Sequence, residues 1–133
     1  MTSDGRDADT QRALDQVVRE FVDRTTDVRG AVLGSADGHP LSASIDEVAT
    51  DAATVAAMGA AMAGLAAQLA RVATDAPVAN SHVRAVGVQV WVLDVGRAAT
   101  LTVFAAEHAD ASAVTSAVRT TIDSLVAVLT PPN

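Results

Sequence analysis

The chain contains no cysteine, no lysine and no tyrosine. Without cysteine there are no disulfides, thiolate metal sites or cysteine nucleophiles. Without lysine there is no phosphate-loop lysine of the Walker type. Aromatic residues make up 2% of the chain, with Trp91 the one tryptophan, so a stacking platform for bases or sugars is excluded. Positive charge is also scarce: nine arginines face sixteen acidic residues, for a net charge of -7. That balance argues against a general phosphate-binding surface, and so against nucleic acid and anionic lipid as partners. The opening "MTSDGRDADT" lacks the apolar core of a secretory signal. A cytoplasmic protein is expected, with a disordered tail over 1–9 and one domain over 10–130.

Catalytic machinery is missing as well. His39, His82 and His108 fall on a turn, a strand start and a loop, with no metal-ligand spacing between them. Ser35, Asp37 and His39 crowd one turn, but no Gly-x-Ser-x-Gly elbow supports a nucleophile. Gly30, Gly34 and Gly38 are spaced by four yet do not open a helix after a strand, so they read as strand and turn glycines. Asp94 and Arg97 bracket a turn and are expected to pair weakly at the surface. Trp91 is expected in the core or at a sheet edge. No catalytic residue, cofactor or metal is therefore expected, and the chain is not read as an enzyme.

What is present is periodicity. Leu14, Val17, Val18, Phe21 and Val22 recur at helical spacing and predict a first helix, capped at Asp9 or Thr10 and ending near Thr25 to Asp27. "RGAVLGSADGHPLSAS" predicts a β-hairpin around Asp37–Gly38. Thr50 or Asp51 then caps a long apolar stretch, "AATVAAMGAAMAGLAAQLA", over residues 52–70. "HVRAV", "VQVWVLDVG" and "ATLTVFAA" predict a three-strand meander whose middle strand is apolar on both faces. Asp110 or Ser112 caps a last helix with Val114, Val118, Ile122, Leu125, Val126 and Leu129 on one face, stopped by "TPPN". The order is α-β-β-α-β-β-β-α. It predicts an α/β fold in which a five-stranded antiparallel sheet carries the middle helix on one face and the terminal helices on the other.

The middle helix carries most of the information. Residues 52–70 are long enough to cross a bilayer, but they are dominated by alanine and glycine, closed by Asp51 and Arg71, and lack an aromatic belt. No membrane span is expected. Val55, Met58, Met62, Leu65, Leu69 and Val72 form a stripe of large side chains at spacings of 3, 4, 3, 4 and 3. Ala56, Gly59, Ala63, Ala66 and Ala70 form a line of small ones. The expectation is that the large stripe lies on the chain's own sheet. The small line would then admit a second copy as a dimer interface. Thr54, Ala61 and Gln68 make the solvent face, open to another partner.

These pieces resemble the Roadblock/dynein light-chain family. The matching stretches are "VRGAVLGSADGHPLSAS", "ATDAATVAAMGAAMAGLAAQLARVA", "VWVLDVGRAATLTVFA" and the closing helix, together spanning roughly residues 10–130. The resemblance implies a profilin-like fold. It implies a homodimer whose middle helices pack together and whose third strands extend the sheet. It also implies a non-catalytic scaffold or regulator of a Ras-like small GTPase, in prokaryotes often one of the gliding-motility type. The competing reading is a small-molecule sensor of PAS- or GAF-like topology, which needs a cavity with orienting polar groups. Arg71, Arg84 and Arg97 are the candidates for an arginine finger. None sits on a loop built to reach a nucleotide, so any stimulation of hydrolysis is expected to be indirect.

Overall fold

The computed structural model describes residues 4–48 and 50–130. Its elements run α1 (Asp4–Arg24), β1 (Val28–Ser35), β2 (Pro40–Ser44), α2 (Ala52–Ala70), β3 (Ser81–Ala85), β4 (Val88–Val95), β5 (Ala99–Ala106) and α3 (Ala111–Leu129). This is the expected order. The first helix begins earlier than its cap was placed: it opens at Asp4, so Asp9 and Thr10 lie within it. Residues 1–3 of the expected tail, and the terminal prolines, fall outside the described residues.

The five strands form one antiparallel sheet in the order β2-β1-β5-β4-β3. The hairpin turn forms where expected, with Gly38 at φ 90° and Ser35 N–H donating to the His39 carbonyl at 2.7 Å. The meander also forms, but its middle strand β4 is not the centre of the sheet. That place belongs to β5, hydrogen-bonded to β1 on one side and β4 on the other.

The two faces of the sheet are covered unequally. Leu33, Trp91, Leu93, Leu101 and Val103 point to one face and meet Leu14, Val18 and Phe21 of α1 and Val114, Val118 and Leu125 of α3. All of these are buried. The other face holds a much smaller cluster, in which Val32 meets Val55 and Ala56 of α2. Both well-defined caps are aspartates: Asp51 accepts from Thr54 N–H at 2.7 Å, and Asp110 accepts from Ser112 and Ala113 N–H at 3.0 and 3.2 Å.

Candidate interaction surface

Helix α2 packs on the sheet through its small side chains. Ala56 and Gly59 are buried against it. A Cβ added to Gly59 would collide with the Thr102 hydroxyl on β5, and one added to Gly34 of β1 would lie 3.0 Å from the Ala56 methyl. A helix this close to a strand tolerates only glycine and alanine between them. At Ala56 and Gly59 the small line therefore serves the chain's own sheet. This corrects the expectation for Ala56 and Gly59, which are not free for a second copy. Ala63 borders a small cleft with Val78, Val92 and Asp94 of its own chain. Ala66 and Ala70 are half-buried.

The large stripe takes the opposite place from the one expected. Val55 is buried and Met62 half-buried, but Met58 is 66% exposed, Leu65 67%, Leu69 73% and Val72 84%. The reason is geometric: once Gly59 faces the sheet, residues one position back or three ahead of it rotate off to the flank. Beside that flank runs an apolar groove of about 320 Å³, lined by Val55, Met58, Met62, Val83, Val90 and Phe104. Its polar lining is slight, with Thr102 the one hydroxyl-bearing residue. It therefore offers little to orient a small polar ligand. Strand β3 forms the outer wall, an edge strand whose other side has no neighbour in the sheet. Val83 on it is partly exposed.

Thr54, Ala61 and Gln68 are exposed, on the side of α2 away from the sheet. Between Asp51 and Arg71 the helix has no charge. Asp51 is held below the ordinary carboxylate value by the Thr54 N–H bond, which favours its charged form. By length and composition α2 and α3 could each cross a membrane. In the fold, α2 lies on a sheet and α3 fills a core.

The other residues singled out by sequence do not assemble a reaction centre. Ser35, Asp37 and His39 do meet at the hairpin turn. The Ser35 hydroxyl donates to Asp37, and His39 Nε2 lies 3.7 Å from the same carboxylate. The serine proton thus points to the acid and not to the imidazole, the reverse of what a nucleophile needs. That same hydroxyl bond holds Asp37 below its ordinary value. His82 and His108 lie elsewhere. His108 is 3.3 Å from Asp27. The expected Asp94–Arg97 pair does not form within ion-pair distance. Among the described residues no three His, Asp or Glu side chains group as a metal site. Arg71, Arg84 and Arg97 are exposed, at the end of α2, on β3 and in the β4–β5 turn.

Sequence reasoning missed the groove and the outward turn of the large stripe. A signal for both was available. Gly34 and Gly38 on the hairpin, with Gly59 on the helix, mark where two backbones approach, and that contact fixes the rotation of α2.

Comparison with known proteins agrees with this geometry. Among solved structures, MglB of Myxococcus xanthus superposes with a TM-score of 0.81 at 14% identity, covering 90% of this chain and 89% of that one. A Roadblock/LC7 domain from Streptomyces avermitilis gives 0.79 at 24% identity, covering 86% and 96%. Profilin II of Acanthamoeba castellanii gives 0.62 at 16% identity, covering 84% and 95%, which bears out the profilin-like fold. No curated protein sequence matches significantly. The family model of the Roadblock/LC7 domain matches residues 14–105, and the chain is a member of that family.

Proposed function

We propose that the protein is a non-catalytic, homodimeric scaffold or regulator of a Ras-like small GTPase. The observation that carries this reading is the unfinished α2 face of the sheet. Met58, Leu65 and Leu69 stand in solvent beside an apolar groove, next to an open edge strand. Exposed apolar surface of this kind marks an interaction site. A second copy suits it. The spacing 3, 4, 3, 4, 3 of the large stripe reads the same in both directions, so an antiparallel pair of α2 helices sets large residues against large ones. That orientation also brings Asp51 of each copy toward the end that carries Arg71 of the other, whereas a parallel pair stacks like charges. The seam is then Met58, Met62, Leu65 and Leu69, with Ala66 and Ala70 at its border. Thr54, Ala61 and Gln68 remain on the outer surface of the paired helices and form the contact for the GTPase. Membership of the Roadblock/LC7 family and likeness to MglB support the choice of partner class. Regulation is indirect, by ordering the GTPase's own groups, because the free arginines are not set on reaching loops.

Light scattering tests the dimer. The unmodified chain should run as a dimer at micromolar concentration. Leu65→Asp with Leu69→Asp should give a monomer with an unchanged far-UV spectrum. A clean monomer for the unmodified chain would sink the proposal. For the partner, a small GTPase loaded with a GTP analogue should be retained by the unmodified chain. Gln68→Arg should lose it while remaining dimeric.

A further inference from the structure

The apolar flank of α2 differs between its two halves. In the first half Val55, Met58 and Met62 line the groove together with Val83 and Val90 of the sheet. In the second half Leu65 and Leu69 stand in solvent. The placement of β3 explains the change. Val83 lies across the groove from Met58 and Met62, whereas Ala63 already borders Ser81, where β3 begins. Beyond Ala63, among the described residues, no strand runs along this flank. The first half of α2 therefore walls a recess, and the second half is a ridge.

Recess and ridge match in chemistry and in size. Neither carries a charge: none of the groove residues is ionisable, and α2 has no charged side chain between Asp51 and Arg71. The groove holds about 320 Å³. A cavity of about 150 Å³ takes up a benzene ring, so the groove has room for two aliphatic side chains.

They also match in position. Met58 and Leu69 are equally far in sequence from the point between Ala63 and Gly64, and so are Met62 and Leu65. A two-fold axis at that point sets Leu69 of one copy against Met58 of the other, and Leu65 against Met62. Each recess then faces a ridge, and the contact occurs twice, as two-fold symmetry requires. A parallel pair would set ridge against ridge and recess against recess. That leaves one half of the seam crowded and the other half empty, against the close packing of apolar interfaces.

We propose that Leu65 and Leu69 of each copy are plugs that fill the groove between α2 and β3 of the other. The groove is then a site that one chain leaves open and two chains close reciprocally. This inference rests on the homodimer proposed above and adds to it the register of the two helices and the occupant of the groove.

The chain has no cysteine, so introduced thiols report the register directly. Under oxidation at micromolar concentration, a mixture of Met58→Cys and Leu69→Cys chains should give a covalent dimer. Each variant alone should link far more slowly, because its cysteine faces a leucine or a methionine. In a parallel pair the single variants would link to themselves. Filling of the groove is read on the unmodified chain with Nile red, a neutral apolar dye. Where light scattering gives a dimer, the dye should stay dark. It should brighten severalfold with Leu65→Asp combined with Leu69→Asp, which withdraws the plugs and leaves the groove residues intact. A dimer that binds the dye as brightly as that variant, or single cysteine variants that link faster than their mixture, would overturn the plugs and leave the homodimer standing. A clean monomer for the unmodified chain would overturn both.

Discussion

The two faces of the sheet are built from the same strands and finished to different degrees. Toward α1 and α3, large side chains interdigitate and are almost wholly removed from water: Leu33, Leu101, Val103, Val118 and Leu125 are each 0% exposed. Toward α2, the contact is between glycine, alanine, threonine and valine, and the large residues of the helix point away. Burial scales with apolar area, at ~25 cal/mol per Å². The first face therefore supplies most of the stability of the protomer, and the second supplies a surface. A helix held by its smallest residues keeps its largest ones available. The sheet edges repeat the pattern. At β2, Gln11 of α1 donates to the Leu41 carbonyl at 2.7 Å and Ser42 hydrogen-bonds Asp15 at 2.6 Å, so that edge is guarded. At β3, among the described residues, no strand pairs with the outer side. An open edge next to an unfinished face is where a sheet can be extended.

The sharpest way to break this comparison is to truncate one leucine on each side. Leu125→Ala on α3 should cost the protomer about 2–5 kcal/mol, because a fully buried side chain leaves a cavity. Leu65→Ala on α2 should cost the protomer within about 0.5 kcal/mol, as exposed substitutions do. Its effect should appear instead in the concentration dependence of melting. Equal losses in chemical denaturation of dilute protein would mean that α2 buries its large stripe after all.

Gly59→Leu comes next. A side chain there meets Thr102, and overpacking of a close contact costs about 1–3 kcal/mol. The loss should appear in the protomer itself, at concentrations too low for association. Ala66→Leu, at the border of the proposed seam, should leave dilute stability nearly unchanged. If Gly59→Leu weakens dimerisation alone, the small line faces outward and α2 is rotated the other way on its sheet.

That rotation is also where legibility in the sequence ran out. Strands and helices announced themselves, because Val88 to Val95 is a branched apolar run punctuated by Gly87 and Gly96, and Val114 to Leu129 carries a clean period of 3.6. The turn at Gly38 was readable for the same local reason, and each cap was narrowed to two residues, Thr50 or Asp51 and Asp110 or Ser112, of which the aspartate is the cap. A helix apolar on every side has no local preference for which side is buried. Size ordinarily decides, and size pointed to Val55, Met58 and Leu65. The deciding fact was non-local: Gly34 on β1 and Thr102 on β5 leave no room above them for anything but Ala56 and Gly59. The stacking of His82 on Trp91 was hidden likewise, since pairing His82 with Trp91 and Gln89 requires the register of β3 on β4.

The caps give a smaller test. Asp110→Ala removes two accepted N–H bonds from α3 and should cost about 1 kcal/mol. Because α3 is bolted down by Val114, Val118 and Leu125, its first turn should stay protected in hydrogen exchange. Asp51→Ala on α2 should instead fray the first turn visibly, since fewer large contacts hold that helix to the sheet.

The smallest effect separates the charge of Asp51 from its cap. Its carboxylate accepts from Thr54 N–H at 2.7 Å, and that bond keeps it ionised below the ordinary value of 3.8. A folded-state value below the unfolded one contributes stability that is complete above the unfolded value and disappears as the pH falls through the folded one. Asparagine caps a helix about as well as aspartate but does not titrate. The difference in melting temperature between the unmodified chain and Asp51→Asn should therefore be constant above about pH 5. Below 3.8 it should shift against the unmodified chain, as its cap takes up a proton while the amide does not change. The shift should be small, because the carboxylate is solvent-exposed. Melting curves at about pH 5 and pH 3 would measure it, with the change confined to hydrogen-exchange protection in the first turn of α2. An equal change at the first turn of α3 would mean that both helices depend on their caps alike, and that the two faces of the sheet are less unequal than their packing makes them.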